Sequence, residues 1–198
     1  AYNIAIGHNA GLSVTTGTFN TIVGGIAGDA LTTGQSNTVV GYNALSSEDT
    51  GHRNVAIGQN ALSTLNTDAI AYNTAVGYAA GASMTTGIQN TIIGGLAGDA
   101  LTSGAKNVAI GYEALSAEDG HGRNVAIGFE ALKVQNAGVE AYNVAIGHQA
   151  GVVVTTGTQN TIIGGLAGDA LTTGSSNVAI GYLALSAEDA HGNNVAIG

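Results

Sequence analysis

The sequence predicts an all-β fold: a parallel β-solenoid, or β-roll, of about twelve coils of 17–19 residues nested in a 70-residue super-repeat. Three observations predict it. A motif that begins with Asn recurs along the whole chain at nearly constant steps. Each copy opens a run of small and β-branched residues that is too short for a helix. A Gly then ends the run, which is typical of a turn.

Twelve asparagines mark the repeat, and they follow one another at steps of 17, 17, 17 and 19, in that order and then again. They are Asn3, Asn20, Asn37, Asn54, Asn73, Asn90, Asn107, Asn124, Asn143, Asn160, Asn177 and Asn194. The super-repeats cover residues 3–72, 73–142 and, in part, 143–198. Because the pattern is already running at both ends, we expect residues 1–198 to form one repeat domain within a longer protein.

Each unit has the length of one coil with two short strands and two turns. In the run that begins at Val178, Val178 and Ile180 are expected to point to one side and Ala179 to the other. Both sides are apolar, so both faces are expected to be buried. We expect the Val/Ile side to fill the coil. The Ala179 side would then form a stripe of small apolar residues covered by another copy of the chain. That stripe contains Ala5, Ile22, Val39, Ala56, Ala75, Ile92 and Ala109.

The coil interior is predicted from a second pattern. The first two coils of a super-repeat have Gly eight residues after the Asn and an apolar residue eleven after it, as in Gly28 and Leu31. The next two coils have Leu at the eighth position, as in Leu45 and Leu62. We interpret the exchange as one interior space that is filled from two backbone positions. The two extra residues of the longer coils, before Tyr72 and Tyr142, are expected in an outer loop.

The repeated Asn and Gly residues are interpreted as structural. Stacked Asn side chains form amide ladders and tolerate tight backbone, which applies to Asn20, Asn37, Asn90, Asn107, Asn160 and Asn177. The Gly that ends each run is expected where φ is positive or where backbones approach closely, which applies to Gly24, Gly41, Gly94, Gly111, Gly164 and Gly181.

Composition excludes several classes of function. Thirteen acidic residues oppose four basic ones, for a net charge of −9, which argues against nucleic acid and against contact with an anionic membrane. The absence of Cys removes disulfides and thiolate metal sites. The run "GGLAGDA" at 94–100 has Leu96 where a dinucleotide-binding loop needs its second Gly, and no Lys lies near it. We therefore reject a phosphate-binding loop.

Two groups of residues have possible chemistry. The third coil of each super-repeat carries an acidic cluster with a His: Glu48, Asp49 and His52; Glu118, Asp119 and His121; Glu188, Asp189 and His191. A solvated polar turn is the preferred interpretation, and a divalent cation site is the alternative. Aromatic residues recur five after the Asn, and Tyr42, Tyr78, Tyr112 and Tyr182 are candidates for ligand contact. No nucleophile and base can be paired, so we expect no enzyme and no cofactor other than that cation.

The motifs "NVAIGYEAL", "NVAIGFEAL", "NVAIGHQAG" and "NVAIGYLAL" resemble the head repeats of trimeric autotransporter adhesins. They are still more similar to the Asn-Val-Ala-Ile-Gly-Tyr-x-Ala-Leu repeats of phage tail fibres and related surface fibres. The resemblance covers essentially the whole chain. It implies a left-handed β-roll in which three chains pack side by side, and a location outside the cell or on a virion.

The expected function is that of a structural and adhesive repeat segment of a surface adhesin or phage tail fibre, without catalysis. Its partners would be further copies of the chain, together with a cell-surface glycan or host receptor. Two alternatives stay open: a glycan- or ice-binding solenoid module, and a subunit of a self-assembling extracellular filament.

Overall fold

The computed structural model describes residues 2–187 and 189–198. This part of the chain is all β and contains no helix, and so no helix that could cross a membrane. Twelve parallel strands form one sheet in sequence order, and the chain winds through about eleven turns of a β-solenoid. The strands are β1 (Ile4–Ile6), β2 (Thr21–Val23), β3 (Thr38–Val40), β4 (Val55–Ile57), β5 (Thr74–Val76), β6 (Thr91–Ile93), β7 (Val108–Ile110), β8 (Val125–Ile127), β9 (Val144–Ile146), β10 (Thr161–Ile163), β11 (Val178–Ile180) and β12 (Val195–Ile197).

Every strand pairs with the next one at the same position in the repeat. Ile92 in β6, for example, lies between Ala75 in β5 and Ala109 in β7. The pairing is as regular across the longer coils as across the shorter ones, since Ala56 in β4 pairs with Ala75. At about 4.8 Å per strand the column is roughly 55 Å long. The predicted fold class is therefore confirmed, and the handedness implied by the resemblance stays a prediction.

The prediction of two strands per coil is wrong, because each coil has one short strand and the rest of it is turns. Backbone hydrogen bonds nevertheless join neighbouring coils outside the sheet. The Ile26 N–H donates to the His8 carbonyl at 2.8 Å, and the Gly28 N–H to the Ala44 carbonyl at 2.9 Å. Residues with a positive φ interrupt extended backbone in the rest of each coil. Contact between coils therefore replaces a second strand.

Four positions of each coil have a positive φ, and at three of them residues other than Gly occur. These three lie six residues after the Asn, as Ile26 at 46° and Leu96 at 57°; eight after it, as Leu45 at 47°; and directly before the next Asn, as Phe19 at 61°. Left-handed backbone is unfavourable for residues with a side chain, above all for a β-branched one. Stacking on both neighbouring coils holds these residues in that conformation.

The coil interior is filled in the way the sequence predicts. Leu31, eleven after its Asn, and Leu45, eight after its Asn, are both fully buried. A Cβ placed on Gly28 would lie only 2.9 Å from Leu31 Cδ1, so the side chain from the later position occupies the space that a residue at the earlier position would need. The Ala seven after each Asn, such as Ala44, completes the interior. In the longer coils residues 68–70 and 138–140, the region that holds the two extra residues, are exposed.

The assignment of the two strand faces is wrong and is reversed in the structure. The middle residue of the strand points into the coil, and Ile22, Ala56 and Ala109 are fully buried there. The first and third residues point outward and are half-buried or exposed, as at Val108 and Ile110. The inward residue is Ala in eight strands and Ile or Val in β2, β3, β6 and β10, so the interior accepts side chains of both sizes. We call the surface formed by the first and third strand residues the outer face.

The Gly after each strand is required by its backbone and by its neighbour. From Gly7 to Gly181 the eleven residues at this position have φ between 128° and 142°. A Cβ on Gly41 would lie 2.5 Å from the carbonyl oxygen of Gly58 in the next coil. Both the conformation and the close approach exclude a side chain.

We predict that Gly41→Ala destabilises the fold by about 3 kcal/mol or more, because the new methyl group meets backbone that cannot move aside. Gly120→Ala is the matched control, since its Cβ would meet only Ser103 Oγ at 3.5 Å. The control should stay within about 0.5 kcal/mol of the wild type. Urea unfolding followed by circular dichroism measures both, and equal midpoints for the two variants would contradict the account.

Candidate functional site

The side chain of each repeated Asn lies at the point where its coil closes. The Asn90 Nδ2 group donates to the carbonyl of Gly104, near the end of the same coil, at 2.9 Å. Its Oδ1 atom accepts a hydrogen bond from the backbone N–H of Asn107, which starts the next coil, also at 2.9 Å. One amide thus closes a coil and fixes the position of the coil after it.

This arrangement repeats from coil to coil and forms what we call the asparagine column. Its buried members are Asn20, Asn37, Asn54, Asn73, Asn90, Asn107, Asn124, Asn143, Asn160 and Asn177. The Oδ1 atom of each accepts from the backbone N–H of the next Asn at 2.9–3.3 Å. Since a buried amide without partners is unfavourable, every link depends on the coil that follows.

The two longer coils close differently. Asn54 and Asn124 keep the bond from Oδ1 to the next Asn, at 3.3 and 3.1 Å. Their Nδ2 groups have no hydrogen-bond partner among the described residues. The two inserted residues separate the carbonyl that other coils present from its Asn. The stack stays in register, but these coils are closed by one side-chain bond instead of two.

The interpretation of the acidic clusters as solvated turns is wrong for the Glu of the first two, because Glu48 and Glu118 are fully buried. Glu48 is held by donors: the Gly51 N–H at 2.7 Å, the Thr67 N–H at 3.1 Å and the Thr67 hydroxyl at 3.1 Å. Burial raises the pKa of this carboxyl, and the bonds to Thr67 and Gly51 offset part of that rise. His52 lies apart from it, with Nδ1 accepting the Gln35 N–H at 2.8 Å.

In the second cluster the three side chains lie close to one another. Ligand atoms of Glu118, Asp119 and His121 lie within 4.8 Å of one another, the sole such group among residues 2–187 and 189–198. Burial also raises the pKa of the Glu118 carboxyl, while the backbone N–H and the ring of His121 lower it. In the third cluster Glu188 lies outside the described residues. The backbone carbonyl of Asp189 accepts bonds from Thr172 and Thr173 of the preceding coil, and that of His191 accepts one from Asn177 of its own coil.

The residues five after the Asn form an aromatic column over part of the chain. Phe129 stacks on Tyr112 at 5.7 Å between ring centroids and on His148 at 5.2 Å. Both faces of the Phe129 ring are therefore covered. Tyr42 and Tyr182 lie over Gly25 and Gly165 of the preceding coils. Tyr42, Tyr78 and Tyr182 are exposed.

A network of side chains around Lys133 joins three coils on the surface. Lys133 Nζ lies 2.6 Å from Glu113 Oε2 and 2.7 Å from Glu130 Oε1, and Gln149 donates to Glu130 at 2.7 Å. Hydrogen bonds from Lys133 lower the pKa of both carboxyls, and the two carboxylates raise the pKa of Lys133. These groups are solvated and pair with one another, so the network stabilises the stack without forming a reactive site.

No protein-family model, curated protein sequence or solved structure matches this chain.

We predict that Asn90→Ala destabilises the fold by about 3 kcal/mol, because it leaves the Asn107 N–H and the Gly104 carbonyl buried without partners. Gln59→Ala removes an exposed amide and is the control, expected within about 0.5 kcal/mol of wild type. Hydrogen exchange of the Asn107 amide locates the effect. Unchanged protection at that amide in Asn90→Ala would show that the side chain is not its acceptor.

Proposed function

We propose that this chain is a structural repeat segment of an extracellular or virion fibre, in which copies pack side by side along their outer faces. The observation that carries the proposal is the outer face itself. Its third strand position is Ile or Val in all twelve strands, and these side chains form one line along the column. The residues are Ile6, Val23, Val40, Ile57, Val76, Ile93, Ile110, Ile127, Ile146, Ile163, Ile180 and Ile197.

A continuous apolar strip supports association with other copies of the chain. Ile93 in the middle of the column is 37% exposed, although the strands on either side of it are paired. Large contiguous apolar surfaces are rare on monomeric proteins and commonly mark interfaces. An interface of identical rods keeps the strips aligned over their whole length, since each repeat meets an equivalent repeat. The resemblance to adhesin heads favours three chains.

The turn residues outside the strands suit a fibre segment that also binds to a cell surface. Equivalent turn residues recur once in each super-repeat, about 19 Å apart along the column, so one chain presents the same surface several times. Weak contacts of such surfaces with a glycan or receptor on a cell would add up through effective concentration. Tyr42, Tyr112 and Tyr182 are the equivalent exposed side chains that we assign to such contacts.

The decisive experiment changes the outer face alone. Ile93→Glu should convert an oligomer of three chains into monomers, because symmetry places three unpaired carboxylates in one apolar contact. Val139→Glu is the control: Val139 is 55% exposed but lies in the outer loop of a longer coil. Analytical ultracentrifugation gives the masses, and circular dichroism verifies that both variants keep the β fold. A monomeric wild type, or equal masses for all three proteins, would contradict the proposal.

A further inference from the structure

The residue eleven after each Asn belongs to what we call the interior column. Apolar side chains occupy most of it, including Leu31, Leu65 and Leu101, which are fully buried. Glu48 and Glu118 stand in the same column. Glu48 is followed in the next coil by Leu65, whereas Glu118 is followed by Gln135, which is also fully buried. Only the second super-repeat therefore places two polar side chains in succession inside the coils that the structure describes.

Three differences between the super-repeats change the surroundings of the buried Glu. Gly51 in the first super-repeat corresponds to His121 in the second. In the same way Leu65 corresponds to Gln135, and Thr67 to Ala137. In the first super-repeat a Cβ on Gly51 would lie 2.5 Å from both carboxylate oxygens of Glu48. A residue with a side chain at this position therefore excludes the conformation of Glu48. The Thr67 hydroxyl, a donor to Glu48 at 3.1 Å, is lost as well.

Polar atoms are left without partners as a result. Glu118 Oε1 accepts the His121 N–H at 3.2 Å, but Oε2 has no hydrogen-bond partner among the described residues. The same part of the chain offers no partner to Oε1 or Nε2 of Gln135, although the amide lies close enough to Glu118 to lower its pKa. His121 Nδ1, 3.7 Å from Glu118 Oε1, also lacks a hydrogen bond to any described residue. Buried polar groups are normally hydrogen-bonded, so these atoms are the exception in the interior and require an explanation.

We propose that Glu118, Asp119 and His121, with the amide oxygen of Gln135, bind one divalent transition-metal ion such as Zn²⁺. Carboxylate oxygen and imidazole nitrogen are ligands that this class of cation accepts, and neither Mg²⁺ nor Ca²⁺ favours imidazole. Ligand atoms around a tetrahedral Zn²⁺ lie roughly 3.5 Å apart, which the cluster reaches by small side-chain movements. Asp119 is exposed and His121 is partly exposed, so the ion enters from solvent.

The metal joins the interior column to the surface turn. Gln135 belongs to the coil after the one that holds Glu118, so the ion links two coils. It also neutralises a carboxylate whose burial is otherwise unfavourable. The site thus stabilises one position of the fibre and makes its stability depend on the metal.

The test exchanges the three residues that differ around the buried Glu between the first and second super-repeats. Each full-length variant is titrated with ZnCl₂ by isothermal calorimetry near neutral pH. The variant His121→Gly, Gln135→Leu, Ala137→Thr carries the residues that the first super-repeat already tolerates, and it should lose one bound equivalent. Because Asp189 and His191 repeat part of the cluster, the readout is the difference in stoichiometry between variants. MgCl₂ should give no binding at the concentrations at which Zn²⁺ saturates.

The reverse variant, Gly51→His, Leu65→Gln, Thr67→Ala, should gain one equivalent, with X-ray absorption showing nitrogen and oxygen ligands only. Asp49→Asn in the wild type is the control, and it should leave the stoichiometry unchanged. Equal zinc stoichiometry in the wild type and in the first variant overturns the site. A first variant that keeps the wild-type zinc stoichiometry and alters only the pH dependence of unfolding would assign Glu118 as a buried neutral acid, which also overturns it.

Discussion

The structure depends on the hydrogen bonds of one side chain, the Asn that starts each coil. Strand pairing and backbone hydrogen bonds in the turns join each coil to the next, and the Asn side chain adds a bond that closes its own coil. The side chain of Asn90 bonds to Gly104 within its own coil and to Asn107 in the next. Coil closure and coil stacking therefore share one side chain. Its repetition explains how a chain with only 9% charged residues and few large side chains holds one fold.

The direction of the strand residues determines both the interior and the surface. A small middle residue such as Ala109 points inward, and the larger Ile110 points outward. The outward residues are also apolar, and this outer face is the basis of the proposed association between copies of the chain. The apolar interior makes a polar residue in the interior column conspicuous. Glu48 is satisfied by its neighbours, whereas Glu118 and Gln135 together have atoms without partners in the described chain, and this difference motivates the metal proposal.

Much of the fold follows from the spacing of the sequence. The Asn and Gly positions give the coil length, and the exchange between Leu31 and Leu45 gives the interior. Sequence reasoning assigned the wrong strand residues to the interior because both faces of the strand are apolar. The pattern of apolar residues alone does not indicate which face points into the coil. The left-handed backbone at Ile26 and Leu96 was also missed, since local preference opposes it and only stacking holds it. Burial of Glu118 could have been inferred, because it stands eleven after an Asn, as Leu101 does.

The most direct test of the account is the distance between equivalent residues of successive super-repeats. The chain has no Cys, so pairs of spin labels can be placed at Tyr42→Cys with Tyr112→Cys, and at Tyr42→Cys with Tyr182→Cys. Labelled chains are diluted with unlabelled ones, and electron–electron double resonance gives the separations. One coil per Asn predicts narrow distributions at about 19 Å and about 38 Å, the second twice the first. Broad distributions, or equal separations for the two pairs, would contradict a linear stack of coils.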